Sequence, residues 1–337
     1  MASNIPLTVE VTRGDMVESS HLGAAVVMDR EGEIVQAWGD PDKVVYPRST
    51  IKPVQALVLI ETGAADAFGV SDAELALASA SHAGTPEHVS TVSNWLERIG
   101  LGPDDLECGG HEPLDPEAAK GLVRSGEAFG PVHNNCSGKH AGFLTTATHL
   151  GEPVAGYTES GHPVQEQLRI LLAEMSGADL TRAPEGTDGC GIPVFGIPLG
   201  AVALAMARMA DPGDLADGRA AAAKRIISAM MAHPFLVAGP DRFDTLAMEA
   251  AAGRFAVKTG AEGMYGAILP EPGLGVALKI DDGAKRASQV AMAAVLEHLG
   301  VLDDNAARAL KPFLEAPVMN APEDHVGQIR MGGGWPG

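Results

Sequence analysis

The segment Arg48-Ser49-Thr50-Ile51-Lys52-Pro53 is the stretch from which the rest of the sequence is interpreted. It opens an apolar run at residues 54–60 whose spacing is typical of a helix. Positions three apart lie on one helix face, so the Ser49 hydroxyl and the Lys52 amine can meet. A neutral amine can take the hydroxyl proton, and the positive end of a first helical turn favours that neutral form. Alternatively, Ser49 is a helix cap and Lys52 a surface cation.

A second motif, Lys258-Thr259-Gly260, closes a predicted strand at residues 254–258. Ser-x-x-Lys on a helix with Lys-Thr-Gly on a strand is the motif pair of serine β-lactamases and penicillin-binding proteins. Their Ser-Asp-Asn motif is missing, and the nearest candidate is Ser79-Ala80-Ser81-His82. Ser81 is interpreted either as a hydroxyl that relays a proton to the leaving group or as the end of a helix.

Composition and charge restrict the class of protein. The chain has 337 residues, 45% of them hydrophobic, and a formal net charge of -20. Such an acidic surface repels phosphate backbones and anionic lipids, so we expect no nucleic-acid or membrane partner. The first residues lack a basic region followed by an apolar one, and three cysteines do not suggest a disulfide framework. The sequence therefore predicts a cytoplasmic protein in a reducing compartment.

The order of predicted elements is strands, a long helical stretch, strands and a final helix. We predict an α+β fold in which an antiparallel sheet lobe, about 5–48 and 254–300, is packed with helices. A helical lobe covers about 49–253, with the active site in the cleft between the lobes. Residues 320–337 are predicted to be a C-terminal tail, poorly ordered at its end.

Two cysteine-containing loops form the third candidate element. Cys136 lies in the segment His133-Asn134-Asn135-Cys136-Ser137-Gly138-Lys139-His140, and Cys190 follows Asp188 in a glycine-rich loop. Two thiols with nearby histidine and aspartate side chains could bind zinc in a reduced compartment. The alternative is that both cysteines are small buried hydrophobic residues, because no Cys-x-x-Cys spacing is present.

The fourth element is the proline- and glycine-containing segment at residues 233–244, which includes Gly239 and Arg242. An arginine on a rigid loop suits a bidentate contact with a substrate carboxylate. The same segment is also consistent with a simple turn between helices that carries a surface arginine. Cys108, His82 and His88 are interpreted as structural.

Taken together, these segments resemble the thermolabile asparaginase II family. The resemblance rests on the motifs at residues 46–53, 79–82, 133–140, 188–191 and 234–244, and extends from about residue 9 to residue 300. Members of that family are structurally related to serine β-lactamases and unrelated to the threonine-nucleophile asparaginases. The Cys-Ser-Gly-Lys and Asp-Gly-Cys-Gly segments are its most specific parts.

The resemblance implies roles for particular residues. It implies Ser49 and Lys52 as the catalytic pair, with Ser81 and Lys258 as further catalytic residues. It implies a zinc ion whose predicted ligands are Cys136, Lys139 and Cys190. The substrate-binding residues are predicted to be Arg48, His140, Asp188, Gly239 and Arg242. A lysine ligand lies outside the usual zinc donors and would need its pKa depressed by the metal.

The predicted activity is hydrolysis of L-asparagine to L-aspartate and ammonia through an acyl-enzyme, and a homodimer is expected from the family resemblance. Two alternatives stay open. One is another serine acyl hydrolase, a β-lactamase or D,D-peptidase. The other is a zinc- or amino-acid-binding domain without catalytic activity on the same fold.

Overall fold

The computed structural model describes residues 5–335 and, for Ala2–Ser3, the backbone. The chain divides into two compact units. The sheet unit comprises Met1–Thr50, Ile197–Asp211 and Leu246–Gly337, and the helical unit comprises Ile51–Gly196 and Pro212–Thr245. The presence of a large antiparallel sheet together with many helices confirms the predicted α+β class.

The strands are numbered in chain order over the described residues. They are β1 Ala2–Ser3, β2 Leu7–Arg13, β3 Met16–Met28, β4 Ile34–Trp38, β5 Val44–Val45, β6 Glu185–Thr187, β7 Pro193–Phe195, β8 Ile197–Pro198, β9 Ala256–Thr259, β10 Met264–Leu269, β11 Leu274–Ile280, β12 Ala316–Met319 and β13 His325–Met331.

The α-helices are numbered in the same way. They are α1 Lys52–Gln55, α2 Leu57–Glu61, α3 Ala64–Ala67, α4 Asp72–Ala78, α5 Pro86–Arg98, α6 Pro116–Ser125, α7 Ser137–Leu150, α8 Pro163–Ser176, α9 Leu199–Ala210, α10 Asp217–Ala232, α11 Pro234–Val237, α12 Phe243–Ala251, α13 Lys285–His298 and α14 Asp304–Leu314. Three short 3₁₀ helices cover Arg48–Ile51, Pro103–Asp105 and Pro131–His133.

The sheet unit is built on one sheet with the strand order β12-β13-β2-β3-β11-β10-β9, and β4 pairs with β3. These pairs are antiparallel, whereas β1 joins β4 in parallel. Helix α9 packs on β3, β10 and β11. A Cβ atom at Gly275 in β11 would lie 2.1 Å from the Ala207 nitrogen of α9. Only glycine therefore allows the helix backbone to lie directly on the strand at this position.

Two parts of the chain differ from the sequence prediction. Residues 197–211, predicted within the helical lobe, belong to the sheet unit because the apolar helix α9 covers the sheet. Strands β12 and β13 continue the sheet beyond β2, so residues 325–331 are a strand rather than a tail. Backbone pairing with β2 holds β13 in an extended strand, which the local sequence does not predict. The end of the predicted tail, residues 336–337, lies outside the described residues.

The helical unit is organised around α4, which contacts α5, α7, α10 and α11. A capping box opens this helix, since Ser71 and Glu74 bond to each other's backbone N–H groups. A Cβ atom at Gly138 in α7 would lie 2.4 Å from the Leu77 carbonyl oxygen of α4. This close approach brings the start of α7 against the end of α4. Within the described residues, no helix combines the length and apolar character needed to cross a bilayer.

Candidate functional site

Ser49 lies in the 3₁₀ helix Arg48–Ile51, which leads directly into α1 at Lys52. The continuous helix predicted after Ser49 is instead divided into this 3₁₀ turn and the short helices α1 and α2. Arg48 has a left-handed φ of 51°, a strained conformation that is common at functional sites.

Within the sheet unit, the Ser49 turn lies against the Lys-Thr-Gly segment. A Cβ atom at Gly260 would lie 2.6 Å from the Thr50 hydroxyl and 3.2 Å from the Pro47 carbonyl oxygen, so glycine is required there. Lys258 is buried in β9, and its Nζ donates to the Thr259 carbonyl at 2.8 Å. The two motifs that the sequence paired are therefore neighbours through Thr50 and Gly260.

Lys52 is the most informative side chain of the helical unit, because it is a long cation that is only 1% exposed. Its Nζ lies 2.5 Å from the Ala80 carbonyl oxygen, 3.2 Å from the Ser81 hydroxyl and 3.2 Å from the Cys136 sulfur. An ammonium group has three donors, and each has an acceptor here. Loss of one proton would leave a lone pair facing a hydroxyl and a thiol, which is the arrangement needed for proton transfer.

Ser81 reaches this position through backbone contacts of the residues that follow α4. The Ser81 N–H donates to the Val237 carbonyl at 3.0 Å, and the His82 N–H donates to the Asn135 carbonyl at 3.2 Å. The second of these bonds fixes the Ser81 loop beside Cys136. The structure thus brings together Lys52, Ser81 and Cys136, which the sequence had placed in three separate motifs.

Cys136, Asp188 and Cys190 form a compact donor cluster. One ligand atom from each lies within 4.8 Å of the others, and no further group of this kind occurs among the residues that the structure describes. The Lys139 Nζ lies 3.0 Å from the Cys190 sulfur. Zinc bonds to thiolates at about 2.3 Å and to oxygen or nitrogen at about 2.0–2.2 Å. Donors around one ion lie about 3.5–4 Å apart in that geometry, so these residues fit a zinc ion.

The pKa values of the two thiols in this cluster are shifted in opposite directions. A hydrogen bond from Cys190, together with the charges of Lys52 and Lys139, holds the pKa of Cys136 well below its usual range. That hydrogen bond and burial raise the pKa of Cys190. Burial alone would lower the pKa of Lys139, but its electrostatic interactions with Cys190 and Cys136 outweigh burial and raise the pKa. The cluster therefore places a Cys136 thiolate beside a buried lysine side chain.

A stack of three rings packs beside the Ser81 loop. The ring centroids of His82 and His88 are 4.8 Å apart, and those of His88 and Phe235 are 5.1 Å apart. The His88 Nε2 donates to the Phe235 carbonyl at 3.0 Å, and its Nδ1 accepts from the Thr85 N–H. Burial lowers the pKa of His88 to about 4 and that of His82 well below its usual value. Both rings are therefore neutral at pH 7.

This stack predicts a loss of stability in acid. Between pH 6.5 and about 4 the unfolded chain binds a proton at His88 that the folded chain does not. The stability is therefore complete above pH 6.5 and is lost as the pH falls, by about 3 kcal/mol for His88 alone. Urea unfolding at pH 7 and pH 4.5 measures this change. His88→Gln should reduce the difference between the two pH values, whereas exposed His325→Gln should not. An unchanged difference in His88→Gln would contradict the assignment.

The predicted substrate loop packs against the residues around Ser81. Segment 233–244 is partly helical rather than an extended turn, since α11 occupies Pro234–Val237. Pro234 begins that helix because a first-turn position needs no N–H donor. Gly239 has a φ of 112°, and a Cβ atom there would lie 2.6 Å from the Ala83 Cβ. Half-buried Arg242 follows, and its charge contributes to the low pKa of His88 after the larger effect of burial.

His140 and Asp188 occupy different environments around the cysteine cluster. The Asp188 carboxylate accepts from the Cys190 thiol at 3.4 Å. His140 is fully buried in α7, and its Nδ1 lies 2.7 Å from the Tyr157 hydroxyl. Sequence reasoning did not identify Tyr157. No motif surrounds it, and its scarcity, as one of three tyrosines in the chain, was the only hint.

No curated protein matches the chain. Its structure is similar to a candidate β-lactamase of Bacteroides dorei DSM 17855, with 15% identity over 79% of this chain and 86% of that one and a TM-score of 0.43. It is also similar to a β-lactamase of Mycobacterium bovis, with 13% identity over 86% and 94% of the two chains and a TM-score of 0.39. A third similar structure is the D-alanine carboxypeptidase AmpC of Burkholderia cenocepacia, with 14% identity over 86% of this chain and 93% of that one and a TM-score of 0.39.

The sequence profile of the L-asparaginase II family matches residues 9–331. That span contains the whole helical unit, most of the sheet unit and all the motifs of the candidate site. It extends past residue 300, where the resemblance noted from the sequence ended, and includes β12 and β13. The chain belongs to the L-asparaginase II family, a family of hydrolases.

Proposed function

We propose that the protein is an L-asparaginase, which hydrolyses the side-chain amide of L-asparagine to L-aspartate and ammonia through an acyl-enzyme. The observation that supports this most strongly is the buried Lys52 amine, 3.2 Å from both the Ser81 hydroxyl and the Cys136 sulfur. A buried amine between a hydroxyl and a thiol-rich, charged pocket suits proton transfer next to a small zwitterion.

In the proposed first step, neutral Lys52 takes the proton of Ser49 and the Ser49 oxygen attacks the amide carbon. Lys52 then carries the proton that the leaving group needs. Because its Nζ lies 3.2 Å from the Ser81 hydroxyl, Ser81 can pass a proton to the departing ammonia. Lys258 adds positive charge beside the Ser49 turn, and backbone N–H groups are candidates to hold the oxyanion. Water then attacks the ester, releases aspartate and restores Ser49.

The proposal includes a zinc ion held by Cys136, Lys139 and Cys190, with Asp188 beside them. When bound, such an ion would offer binding positions for the α-carboxylate of the substrate and for its α-amino nitrogen in the neutral form. This arrangement would make the metal a specificity element. The remaining carboxylate contacts are assigned to Arg48, His140 and Arg242. A homodimer remains an expectation from the family.

Metal content gives a prediction of its own. Protein purified without chelator is expected to contain about one zinc per chain by elemental analysis, and Cys136→Ser or Cys190→Ser should reduce this at least tenfold. Cys108→Ser is the matched control, because Cys108 is buried but donates to the Pro131 carbonyl outside the cluster. Equal zinc content in all four proteins would contradict the assignment.

The activity is tested by measuring ammonia release from asparagine and glutamine alongside hydrolysis of a chromogenic β-lactam. We expect ammonia from asparagine and no opening of the β-lactam. Stable labelling of the protein by a fluorescent penicillin would instead favour a β-lactamase or D,D-peptidase. Binding of asparagine without turnover would favour the non-catalytic alternative.

A further inference from the structure

Tyr157 lies in the segment between α7 and α8, outside the predicted motifs. Its side chain is 0% exposed, so its hydroxyl must find partners inside the protein. Two polar groups approach that hydroxyl. The Glu107 backbone nitrogen lies 2.9 Å away and the His140 Nδ1 lies 2.7 Å away. Burial raises the pKa of Tyr157, so the group remains a phenol.

The directions of these two hydrogen bonds determine where the proton of His140 lies. A backbone N–H can only donate, so Glu107 donates to the Tyr157 oxygen. The single Tyr157 O–H is then directed to the His140 Nδ1, which accepts it. A ring nitrogen that accepts a hydrogen bond carries no proton, so the proton of the His140 imidazole lies on Nε2.

The Nε2 atom of His140 is buried and has no hydrogen-bond partner. A buried donor without an acceptor destabilises the folded state, and such groups in folded proteins commonly await a ligand or a water. His140 directly follows Lys139 in α7, and the Nζ of Lys139 contacts the cysteine cluster. A donor held in this neighbourhood suits an acceptor oxygen of a small anionic or zwitterionic ligand.

We propose that Tyr157 is a positioning residue that fixes His140 in the Nε2–H tautomer, so that this N–H donates to a carboxylate or amide oxygen of the bound amino acid. The inference rests on the proposed function for the identity of that ligand. The inference goes beyond the proposed function because it gives Tyr157 a role and assigns the donor atom of His140. Tyr157 itself does not touch the substrate.

A double-mutant cycle tests this role. Tyr157→Phe removes the hydroxyl and allows His140 to change tautomer, so KM for asparagine should rise about tenfold while kcat changes less than twofold. A glutamine amide nitrogen can take the place of Nε2 without depending on a tautomer. In the His140→Gln background, Tyr157→Phe should therefore change KM less than twofold. Equal losses in both backgrounds would show a purely structural role for Tyr157 and overturn the proposal.

A second measurement does not depend on turnover. In the full chain labelled with ¹⁵N-histidine, the resonances lost in His140→Gln identify His140. We expect the Nε2–H form in the wild type, a shift of that N–H on addition of aspartate, and a mixture of tautomers in Tyr157→Phe. An Nδ1–H form in the wild type, or no response to aspartate, would overturn the proposal. If the protein gave the expected spectra but did not hydrolyse asparagine, the proposed function would be refuted and the role of Tyr157 would stand.

Discussion

Lys52→Met is expected to lower kcat/KM for asparagine by about 10⁴-fold, because it removes the group proposed to take the serine proton and return it to ammonia. Methionine has a similar length, so it fills the space of a side chain that is 1% exposed. It cannot donate to the Ala80 carbonyl or to the Cys136 sulfur. Leaving these acceptors without a donor should also reduce the free energy of unfolding by about 1–3 kcal/mol.

Lys120→Met provides the matched control. Lys120 is exposed on α6 and pairs only with Glu117, also exposed, among its described contacts, so its loss should change kcat/KM less than twofold. Lys52→Arg should not restore activity, since a guanidinium group stays protonated and cannot act as the base. Activity within tenfold of the wild type in Lys52→Met would show that another group takes the serine proton.

Ser49→Ala is expected to lower kcat by at least about 10⁴-fold and to abolish any covalent intermediate. The alanine lacks the oxygen that forms the ester, and the remaining residues can only bind the substrate. Because Ser49 is in a short 3₁₀ turn and only half-buried, we expect the folded structure to be retained. Steady-state ammonia release together with thermal unfolding checks both expectations.

Ser81→Ala distinguishes the two serines. If Ser81 relays the proton to ammonia, its loss should lower kcat by about 10²-fold while the ester at Ser49 still forms. Exposed Ser90→Ala, which removes a hydroxyl bonded within α5, serves as the control and should be neutral. The reverse order of effects, with Ser81→Ala the more severe, would identify Ser81 as the nucleophile, consistent with its direct contact with Lys52.

Local patterns predicted much of the fold. The helical spacing at residues 54–60 corresponds largely to α2, and the strand predicted at residues 254–258 overlaps β9. The position of α9 on the sheet could not be predicted, since an apolar helix fits the core of either lobe. Strands β12 and β13 were missed because their order comes from pairing with β2, far away in sequence.

The candidate site was predicted as separate motifs rather than as a set of contacts. The types of Lys52, Cys136 and Cys190 indicated their chemistry, but the contact between Lys52 and Cys136 joins residues that are 84 positions apart in the sequence. The bond from the His82 N–H to the Asn135 carbonyl, which holds the Ser81 loop beside Cys136, uses backbone atoms, and these are not apparent from residue identity. Tyr157 was missed for a related reason, since only the folded chain places its hydroxyl on His140.

The most direct test of the central claim is to trap the covalent intermediate. Wild-type protein is mixed with asparagine, quenched in acid within milliseconds, digested and analysed by mass spectrometry. We expect one aspartyl group esterified to Ser49 in the wild type, accumulation of that ester in variants that slow its hydrolysis, and none in Lys52→Met. Rapid consumption of asparagine with no adduct on Ser49 at any quench time would contradict a lysine-activated Ser49 nucleophile.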